Sequence, residues 1–254
     1  IEHANVGAWV GRDYGNKPEL WGPGDGLLFS GMRIRNTYAD GINFTNGTRN
    51  SKVFNSSFRT TGDDSLAVWA NQYVKDTSVD VAHDNVFQNN TIQLPWRANG
   101  IAVYGGYGNK IENNLVYDTM NYPGIMLATD HDPLPVSGTT LLANNALHRT
   151  GGAFWGEAQE FGAITLFSQN LPIPGAVIRD TEILDSTYDG IQFKGGGSGM
   201  PDVVITNVRI VPRPDGSPWL EATVTDGTGS LVVLWTGRRR IAGIQGGRRL
   251  VVEG

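Results

Sequence analysis

The sequence predicts an all-β fold, a right-handed parallel β-helix that ends in a short β-hairpin. Two series of sequence markers and the lack of any long stretch with helical periodicity support this prediction. Short strands, corners of Gly and Asn, and a repeat of about 20 to 50 residues are typical of a β-solenoid. Each repeat is therefore expected to form one coil, with successive coils stacked on one another.

The first marker is a small or acidic residue followed by a short apolar strand. Its copies are 24 to 39 residues apart and lie at 40–44, 64–68, 99–103, 123–127, 162–166 and 189–193. With one copy on each coil, these strands are expected to stack into a parallel sheet. Equivalent positions on adjacent coils then lie roughly 4.8 Å apart, which is the spacing between neighbouring strands.

The second marker is an Asn-rich corner that precedes another apolar strand. The corners begin at Asn55, Asn89, Asn113 and Asn144, and Asp180 takes the same place once. Asn suits such corners because its side chain bonds the local backbone and tolerates the left-handed φ region. On stacked coils these Asn side chains are expected to bond one another in a ladder.

The coil markers stop after about Ile210, where a turn-rich linker begins. Two strand patterns, 220–225 and 230–235, then flank a turn that starts with Asp226-Gly227. Alternating apolar strands on both sides of an Asp-Gly turn predict a β-hairpin.

Charge separates the same two parts of the chain. Residues 205–254 hold seven Arg and four acidic residues, a charge of +3. The whole chain has a net charge of −5, so residues 1–204 carry −8. Such asymmetry indicates segments of different origin or role. We predict a β-helix domain over 1–205, with its leader and N-terminal coils missing, and a separate tail over 206–254.

Composition speaks against a membrane protein. No apolar run approaches the ~20 residues that span a bilayer, and no signal peptide is visible at the start of the chain. The 254 residues, 39% of them hydrophobic, are enough for a substantial core. The chain has no Cys, which suits a solenoid whose coils cover one another and is compatible with secretion.

Three aspartates form the candidate catalytic group. Asp40 and Asp64 are 24 residues apart, at equivalent places in the repeat, and Asp63 adjoins Asp64. Carboxyls held a strand spacing apart cannot all ionise freely, because like charges raise one pKa. A carboxylic acid beside a carboxylate is what glycosidic-bond hydrolysis requires. In a regular strand Asp63 and Asp64 would face opposite sides, so a shared site requires a bend at Gly62.

A structural interpretation of these aspartates competes with the catalytic one. Asp beside Gly is common in turns. Asp189, in a copy of the Asp40 motif without a neighbouring Asp-Asp pair, illustrates such a residue. We favour the catalytic interpretation for Asp40, Asp63 and Asp64.

These residues resemble those of glycoside hydrolase family 87, mycodextranases and endo-α-1,3-glucanases built on a right-handed, pectin-lyase-like β-helix. The likeness covers about residues 1–205 and rests on Asp40-Gly, on Gly62-Asp-Asp64 and on the Asn corners. It implies that Asp40, Asp63 and Asp64 are catalytic. It also implies hydrolysis with inversion, for which we assign Asp63 as the general acid. Polygalacturonases and family 49 dextranases use a similar arrangement.

The residues beyond the three aspartates favour a neutral glucan over polygalacturonate. The coils at 103–107 and 127–131 lack the Gly-His-Gly and Arg-Ile-Lys motifs of polygalacturonases. A galacturonate site should also offer clustered Arg and Lys for the substrate carboxylates. Aromatic and polar side chains suit a neutral sugar instead, and the candidate substrate-binding residues are Trp69, Trp96, Tyr104 and His131. Packing in the solenoid is the alternative role for the aromatic residues.

No cofactor or catalytic metal is expected. Asp130 and Asp132 offer oxygen ligands for a structural Ca²⁺, although their spacing matches no defined calcium loop. The expected partner is a polysaccharide substrate, with no membrane and no nucleic acid. The protein is expected to be an extracellular monomer.

The tail carries a resemblance of its own. Segments 221–235, 237–244 and 247–254 resemble small bacterial OB-fold proteins. That likeness implies single-strand binding through Trp235 and Arg238–Arg240, but an OB barrel needs five strands and the tail holds about three. For the whole chain, our main interpretation is an endo-acting hydrolase of a neutral α-glucan, either α-1,3-glucan or nigeran. The alternatives are an inactive carbohydrate-binding fragment, a polygalacturonase- or dextranase-like hydrolase, a polysaccharide lyase and, last, nucleic-acid binding by the tail.

Overall fold

The structure is a computed structural model that describes residues 1–11, 22–153, 159–211, 219–225 and 230–236. Regular secondary structure in these residues consists of β-strands, most of them paired in parallel between successive coils. The predicted all-β parallel β-helix is therefore confirmed. In the described ranges, no helix of the length and apolar character needed to span a membrane occurs.

One parallel sheet, which we call sheet I, contains a strand from each coil. In spatial order its strands are β1 (Ala8–Val10), β4 (Ile42–Thr45), β7 (Leu66–Trp69), β10 (Ile101–Tyr104), β14 (Ile125–Ala128), β20 (Ile164–Ser168) and β22 (Ile191–Gly195). Ile42 lies opposite Leu66, and Leu66 lies opposite Ile101. The repeat predicted from the first marker therefore sets the register of sheet I.

A second sheet, sheet II, has two parallel arms joined by one long strand. The first arm contains β2 (Leu28–Ser30), β5 (Lys52–Phe54), β8 (Val86–Gln88), β12 (Lys110–Glu112) and β16 (Thr140–Ala143). The second contains β3 (Arg33–Arg35), β6 (Ser57–Arg59), β9 (Thr91–Gln93), β13 (Leu115–Tyr117) and β17 (Ala146–His148). Strand β21 (Ala176–Leu184) pairs with both arms, and β23 (Val204–Val211) pairs with β21.

Three small pairs complete the described structure. Strands β11 (Gly106–Tyr107) and β15 (Val136–Ser137) pair in parallel. Strands β18 (Gly152–Ala153) and β19 (Glu160–Phe161) pair antiparallel. Strands β24 (Trp219–Thr225) and β25 (Ser230–Thr236) form the antiparallel hairpin predicted for the tail.

The corners between the two arms of sheet II are the Asn corners found in the sequence. Asn55, Asn89, Asn113, Asn144 and Asp180 all have φ between 50° and 56°. This is the left-handed region, which Asn and Asp tolerate better than most residues. The predicted conformation of these corners is therefore confirmed.

The residue after three of these corners is a second Asn, and these second Asn residues form the predicted ladder. The Nδ2 group of Asn90 donates to Oδ1 of Asn114 at 3.1 Å, and Nδ2 of Asn114 donates to Oδ1 of Asn145 at 3.1 Å. Backbone N–H groups of Asn90 and Asn114 donate to the same oxygens, each at 3.0 Å. All three side chains are buried, so each ladder bond satisfies polar groups that water cannot reach.

The core lies inside the coils. It consists of stacked aliphatic and aromatic side chains, with Ile42, Leu66 and Ile101 of sheet I fully buried against Phe58 and Phe87 of sheet II. A smaller cluster covers the outer face of sheet I and contains Ala102, Tyr104, Met126, Ala128, Phe161 and Phe167. Alternate residues of β10 therefore serve different clusters, because successive side chains of a strand point to opposite faces.

The pairing of β23 with β21 continues to Val211, beyond the predicted boundary between residues 205 and 206. The solenoid strands thus extend into the predicted tail, while the division into two domains stays a prediction. Arg238–Arg240, on which the proposed nucleic-acid contact depends, lie outside the described residues.

The ladder predicts a large cost for replacing its central residue. Asn114→Ala removes bonds to Asn145, to the Phe87 carbonyl and from Asn90. Because buried polar groups lose their partners, we expect the free energy of unfolding to fall by about 2–4 kcal/mol. Urea denaturation measures this change. The control is Asn170→Ala, at an exposed position, which should change stability by less than about 0.5 kcal/mol. Equal losses in both variants would contradict a stabilising ladder.

Candidate active site

The register of sheet I brings the three predicted catalytic aspartates together. Asp40 lies two residues before Ile42, and Asp64 lies two residues before Leu66. Ile42 and Leu66 are partners in adjacent strands. One carboxylate oxygen from each of Asp40, Asp63 and Asp64 lies within 4.8 Å of the others. The proximity predicted from the 24-residue interval is therefore confirmed.

A bend at Gly62 places Asp63 and Asp64 on the same site. The chain bends at Gly62 and Asp63 before β7 begins at Leu66. A Cβ atom on Gly62 would lie 1.9 Å from the carbonyl oxygen of Tyr38 on the preceding coil, so no larger residue fits this path. The backbone N–H of Asp64 donates to Oδ1 of Asp63 at 3.1 Å. The bend predicted from the sequence is therefore confirmed.

Asp64 is buried and surrounded by hydrogen-bond donors. Its Oδ1 accepts the backbone N–H of Asn99 at 2.9 Å and Nδ2 of Asn99 at 2.7 Å. Its Oδ2 accepts the hydroxyl of Tyr104 at 3.1 Å. Burial, followed by the charges of Asp63 and Asp40, raises the pKa of Asp64 well above its ordinary value, and the Asn99 bonds oppose this rise.

Asp40 is also buried but has fewer donors. Its Oδ1 accepts Nδ2 of Asn43 at 3.3 Å. Burial and then the charge of Asp63 raise the pKa of Asp40 to about 7, while Arg97 acts in the opposite direction. Near neutral pH the group of three carboxyls therefore retains a proton, which is the condition that acid-assisted bond cleavage needs.

Asp63 is the exposed member of the group. Its side chain is 38% exposed, and its Oδ2 accepts Nη2 of Arg97 at 3.0 Å. The guanidinium of Arg97 also lies 5.8 Å from the centre of the Trp96 ring. Arg97 therefore contacts both Asp63 and Trp96, a predicted substrate-binding residue that is 37% exposed.

The other predicted substrate-binding residues lie at the opposite end of the sheet I strands. Trp69 and Tyr104 end β7 and β10, whereas Asp64 and Asn99 precede them. Nε1 of Trp69 donates to the carbonyl oxygen of His131 at 3.0 Å, and the His131 ring stands edge-on to Tyr104 at 5.2 Å. The structure therefore brings Trp69, Tyr104 and His131 together and leaves Trp96 at the other edge.

Tyr104 differs from the other three candidates in its surroundings. It is 7% exposed, and its hydroxyl contacts Asp64 and Asn99. Burial, then the charges of Asp64 and Asp130, raise the pKa of this hydroxyl well above its ordinary value. Its hydroxyl therefore stays protonated and donates within the site. The His131 side chain is 64% exposed and is accessible to a ligand.

Three neighbours of the aspartates were not singled out in the sequence as site residues: Asn43, Arg97 and Asn99. The sequence repeat could have predicted the position of one of them, Asn99. Asn99 starts the copy of the first marker that follows Asp64, so the register that stacks Asp40 on Asp64 stacks Asn99 next. Arg97 lies in an irregular segment, and no periodic pattern marks it.

Among the residues that the structure describes, Asp40, Asp63 and Asp64 form the group of acidic side chains close enough to share a metal ion. Within the described part of the chain, Asp130 and Asp132 belong to no such group. The Asp130 carboxylate lies 3.5 Å from Nε2 of His131, and burial raises the pKa of Asp130. A structural Ca²⁺ at Asp130 and Asp132 stays a prediction.

The fold and the site together define a class of protein: a parallel β-helix with a cluster of carboxyls on its outer face, as in β-helix glycoside hydrolases. A family model described as "Alpha-1,3-glucanase catalytic domain D2" matches residues 20–215. The chain therefore belongs to glycoside hydrolase family 87. Among curated proteins, none matches the chain.

Solved structures agree with this assignment. The catalytic domain of Agl-KA is 34% identical, with a TM-score of 0.73, over 82% of this chain and 36% of that one. The catalytic unit of a thermostable family 87 α-1,3-glucanase from Streptomyces thermodiastaticus strain HF3-3 is 31% identical, with a TM-score of 0.70, over 82% and 37%. The chain thus spans little more than a third of the length of these proteins.

Further structures show family 87 α-1,3-glucanase catalytic domains with nigerose or tetrasaccharides. Three of them carry a single aspartate-to-alanine change, and the changed positions are separated by 23 residues and by 1 residue. They are 28% identical to this chain over 82% of it and 37% of theirs, with TM-scores of 0.65 to 0.70.

The family match ends at residue 215, and neither these matches nor the described residues support the OB-fold resemblance of the tail.

The raised pKa of Asp40 predicts how stability changes with pH. The folded chain holds this proton more tightly than the unfolded chain, so Asp40 lowers stability as pH rises from about 4 to about 7. Asp40→Asn removes this effect. At pH 8 we expect the free energy of unfolding of the variant to exceed that of the natural chain by on the order of 2–4 kcal/mol. At pH 4 the two should be similar.

Chemical denaturation at both pH values measures this difference. The matched control is Asp202→Asn, at an exposed position with φ of 58° that Asn also tolerates. The control should leave stability unchanged at pH 4 and pH 8. If Asp40→Asn were less stable than the natural chain at pH 8, the ionised Asp40 carboxyl would not destabilise the fold.

Proposed function

We propose that this chain hydrolyses internal bonds of α-1,3-glucan, with Asp40, Asp63 and Asp64 as its catalytic residues. The observation that carries the proposal is the approach of three carboxyls to within 4.8 Å, two of them buried and with raised pKa values. Family membership supports the substrate, because the matching family model and the similar structures are α-1,3-glucanases. Extracellular action agrees with a polymer as the substrate.

The aspartate variants of the similar structures support the choice of residues. Their changed aspartates are separated by 23 residues and by 1 residue. Asp40, Asp63 and Asp64 have the same two intervals. Asp189, the other aspartate in an Asp-Gly-Ile motif, fits neither interval.

Exposure suggests the part that each aspartate takes in the reaction. A general acid must reach the glycosidic oxygen, and Asp63 is the member of the three with a side chain well exposed at the outer face. We therefore assign Asp63 as the acid. Once substrate has displaced Arg97, Asp63 takes the proton that the three carboxyls retain and gives it to the leaving oxygen. Asp40 and Asp64 hold the water. One of them accepts the water proton as the water oxygen bonds to the anomeric carbon and the glycosidic bond breaks.

The aromatic residues suggest how the sugar is held. Trp69 makes edge contacts with Trp9 and Tyr73, at 6.4 Å between ring centres in each case, so it belongs to an aromatic row at one end of the sheet I strands. Trp96 lies at the other end, beside Arg97. Aromatic rings offer apolar faces to sugar rings, and we propose that Trp69, Trp96 and His131 contact the glucan on either side of the aspartates.

The proposed function predicts release of reducing ends from α-1,3-glucan, with little from dextran or polygalacturonate. Asp63→Asn and Asp64→Asn should each lower the rate by about 10²–10⁴-fold, because an amide cannot transfer the proton. Asp189→Asn is the control and should keep most of the activity. A reducing-sugar assay on purified, folded protein measures the natural chain on the three substrates and the three variants on α-1,3-glucan.

Other outcomes of this assay distinguish the alternatives. Activity on polygalacturonate would make the chain polygalacturonase-like. A folded chain that binds α-1,3-linked oligosaccharides but releases no reducing ends would be a carbohydrate-binding β-helix. Activity that persists in both Asp63→Asn and Asp64→Asn would move the site elsewhere.

The stereochemical outcome needs a separate measurement. Inversion, which the family resemblance implies, is generally associated with carboxyls ~6.5–9.5 Å apart, and retention with about 5–5.5 Å. The closest oxygens of the three aspartates lie within 4.8 Å, so their separation does not itself favour inversion. We propose inversion because three carboxyls, rather than two, are available to hold the water. Proton NMR of the first products should then show β-anomeric reducing ends, whereas α-anomers appearing first would establish retention.

A further inference from the structure

Asn99 and Tyr104 enclose the carboxyl group of Asp64 on both of its oxygens. Oδ1 accepts two N–H groups of Asn99, at 2.9 and 2.7 Å, and Oδ2 accepts the Tyr104 hydroxyl at 3.1 Å. These three donors all come from the coil that follows Asp64: Asn99 lies two residues before β10, and Tyr104 ends it. Asp64 therefore receives its hydrogen bonds from one neighbouring coil.

A fourth contact fixes the direction of the Tyr104 hydroxyl. Nδ2 of Asn99 also donates to the Tyr104 oxygen, at 3.1 Å. Since that oxygen already accepts a proton from Asn99, its own proton points to Oδ2 of Asp64. Protonation of Asp64 on Oδ2 would turn this bond around, and the Tyr104 proton would need another acceptor. On Oδ1 a proton would face two N–H groups, which cannot accept it.

The ring of Tyr104 is held firmly enough to keep this geometry. It lies in the apolar cluster on the outer face of sheet I, with Met126 and Phe167. The His131 ring packs against it edge-on. Its backbone is paired on both sides, with Trp69 of β7 and Ala128 of β14. A buried side chain between two paired strands has little freedom to reorient.

The two buried aspartates are therefore unequal in hydrogen bonding. Asp64 accepts three bonds at 2.7 to 3.1 Å from Asn99 and Tyr104. Among the residues that the structure describes, Asn43 is the side chain that donates to Asp40, at 3.3 Å. Donors stabilise the ionised form of a carboxyl group. Burial and like charge raise the pKa of both carboxyls, so the pair retains a proton, and the inequality in donors decides which of the two carboxyls holds it.

We propose that Asn99 and Tyr104 are positioning residues that keep Asp64 ionised and in one orientation, so that the proton retained by the buried pair lies on Asp40. Asp64 is then the member of the pair that is ready to accept a proton from water. The hydrogen-bonding part of this inference stands on the geometry alone. Its catalytic consequence rests on the proposed function.

Other charged groups act on the same site and set the direction of the expected changes. Asp63 acts on Asp64 from its own bend, and Asp40 acts on it from the preceding coil. Asp130 acts on Tyr104, with His131 beside it, and Arg97 acts on Asp40 and Asp63. Tyr104→Phe changes none of these charges. It removes one donor from an ionised carboxyl, so the protonation midpoint of Asp64 should rise.

Carbon-13 NMR of aspartate carboxyls tests the inference without any substrate. The Asp40 and Asp64 signals are assigned with Asp40→Asn and Asp64→Asn. In the natural chain at pH 6, the Asp64 signal should have the shift of an ionised carboxyl and the Asp40 signal that of a protonated one. Tyr104→Phe should raise the Asp64 midpoint by about one pH unit or more, since a hydrogen bond to a charged group is lost.

The matched control is Tyr107→Phe, which removes a hydroxyl from a tyrosine that stacks on His83. This control should leave both aspartate midpoints unchanged. Asn99→Ala is a second test at a different residue, and it should raise the Asp64 midpoint in the same direction as Tyr104→Phe. Circular dichroism establishes that each variant is folded.

The kinetic arm separates this inference from the proposed function. Tyr104→Phe should lower kcat by about 10-fold with KM within about 2-fold, and the acid limb of the kcat profile should move to higher pH. An inactive natural chain with the expected NMR shifts would overturn the function and leave the hydrogen-bonded arrangement intact. An active chain in which Asp64 is protonated at pH 6, or in which Tyr104→Phe moves neither the midpoint nor the acid limb, would overturn the inference.

Discussion

The backbone pairing between successive coils is the constraint on which the rest of this molecule depends. The register that places Ile42 opposite Leu66 and Ile101 also stacks Asp40, Asp64 and Asn99 at the edge of sheet I. Strand spacing therefore determines the spacing of the carboxyls, and the same pairing buries them. Their raised pKa values follow from this placement. The candidate site is thus a property of how the coils stack, more than of any one loop.

Such a site opposes the stability of the fold that builds it. Burying two carboxyls beside a third is unfavourable, because each loses water and gains a like charge. Other interactions in the same coils offset this cost, chiefly the continuous apolar interior and the ladder of Asn90, Asn114 and Asn145. The ladder lies in sheet II and the carboxyls at sheet I. Within one coil, sheet II therefore contributes the stabilising ladder, and sheet I carries the reactive carboxyls.

The sequence could predict whatever the repeat determines. The stacking of Asp40 on Asp64, the bend at Gly62, the left-handed corners at Asn55 and Asn89 and the hairpin of the tail all follow from spacing or from local backbone preference. The ion pair between Arg97 and Asp63 could not be predicted, since it depends on the path of an irregular segment. The burial of Tyr104 could not be predicted either. It follows from the side chains that cover the outer face of sheet I, which the period of the repeat does not specify.

Gly62 has a consequence for how such a protein can change over evolution. Because the backbone of Tyr38 leaves no room for a side chain there, the contact between the two coils works as a fixed spacer between their aspartates. Substitutions around the site can alter which sugar is held, but a wider gap between the carboxyls would require both coils to move apart along their whole length. During evolution, the substrate that this site binds can therefore change more easily than the distance between its carboxyls.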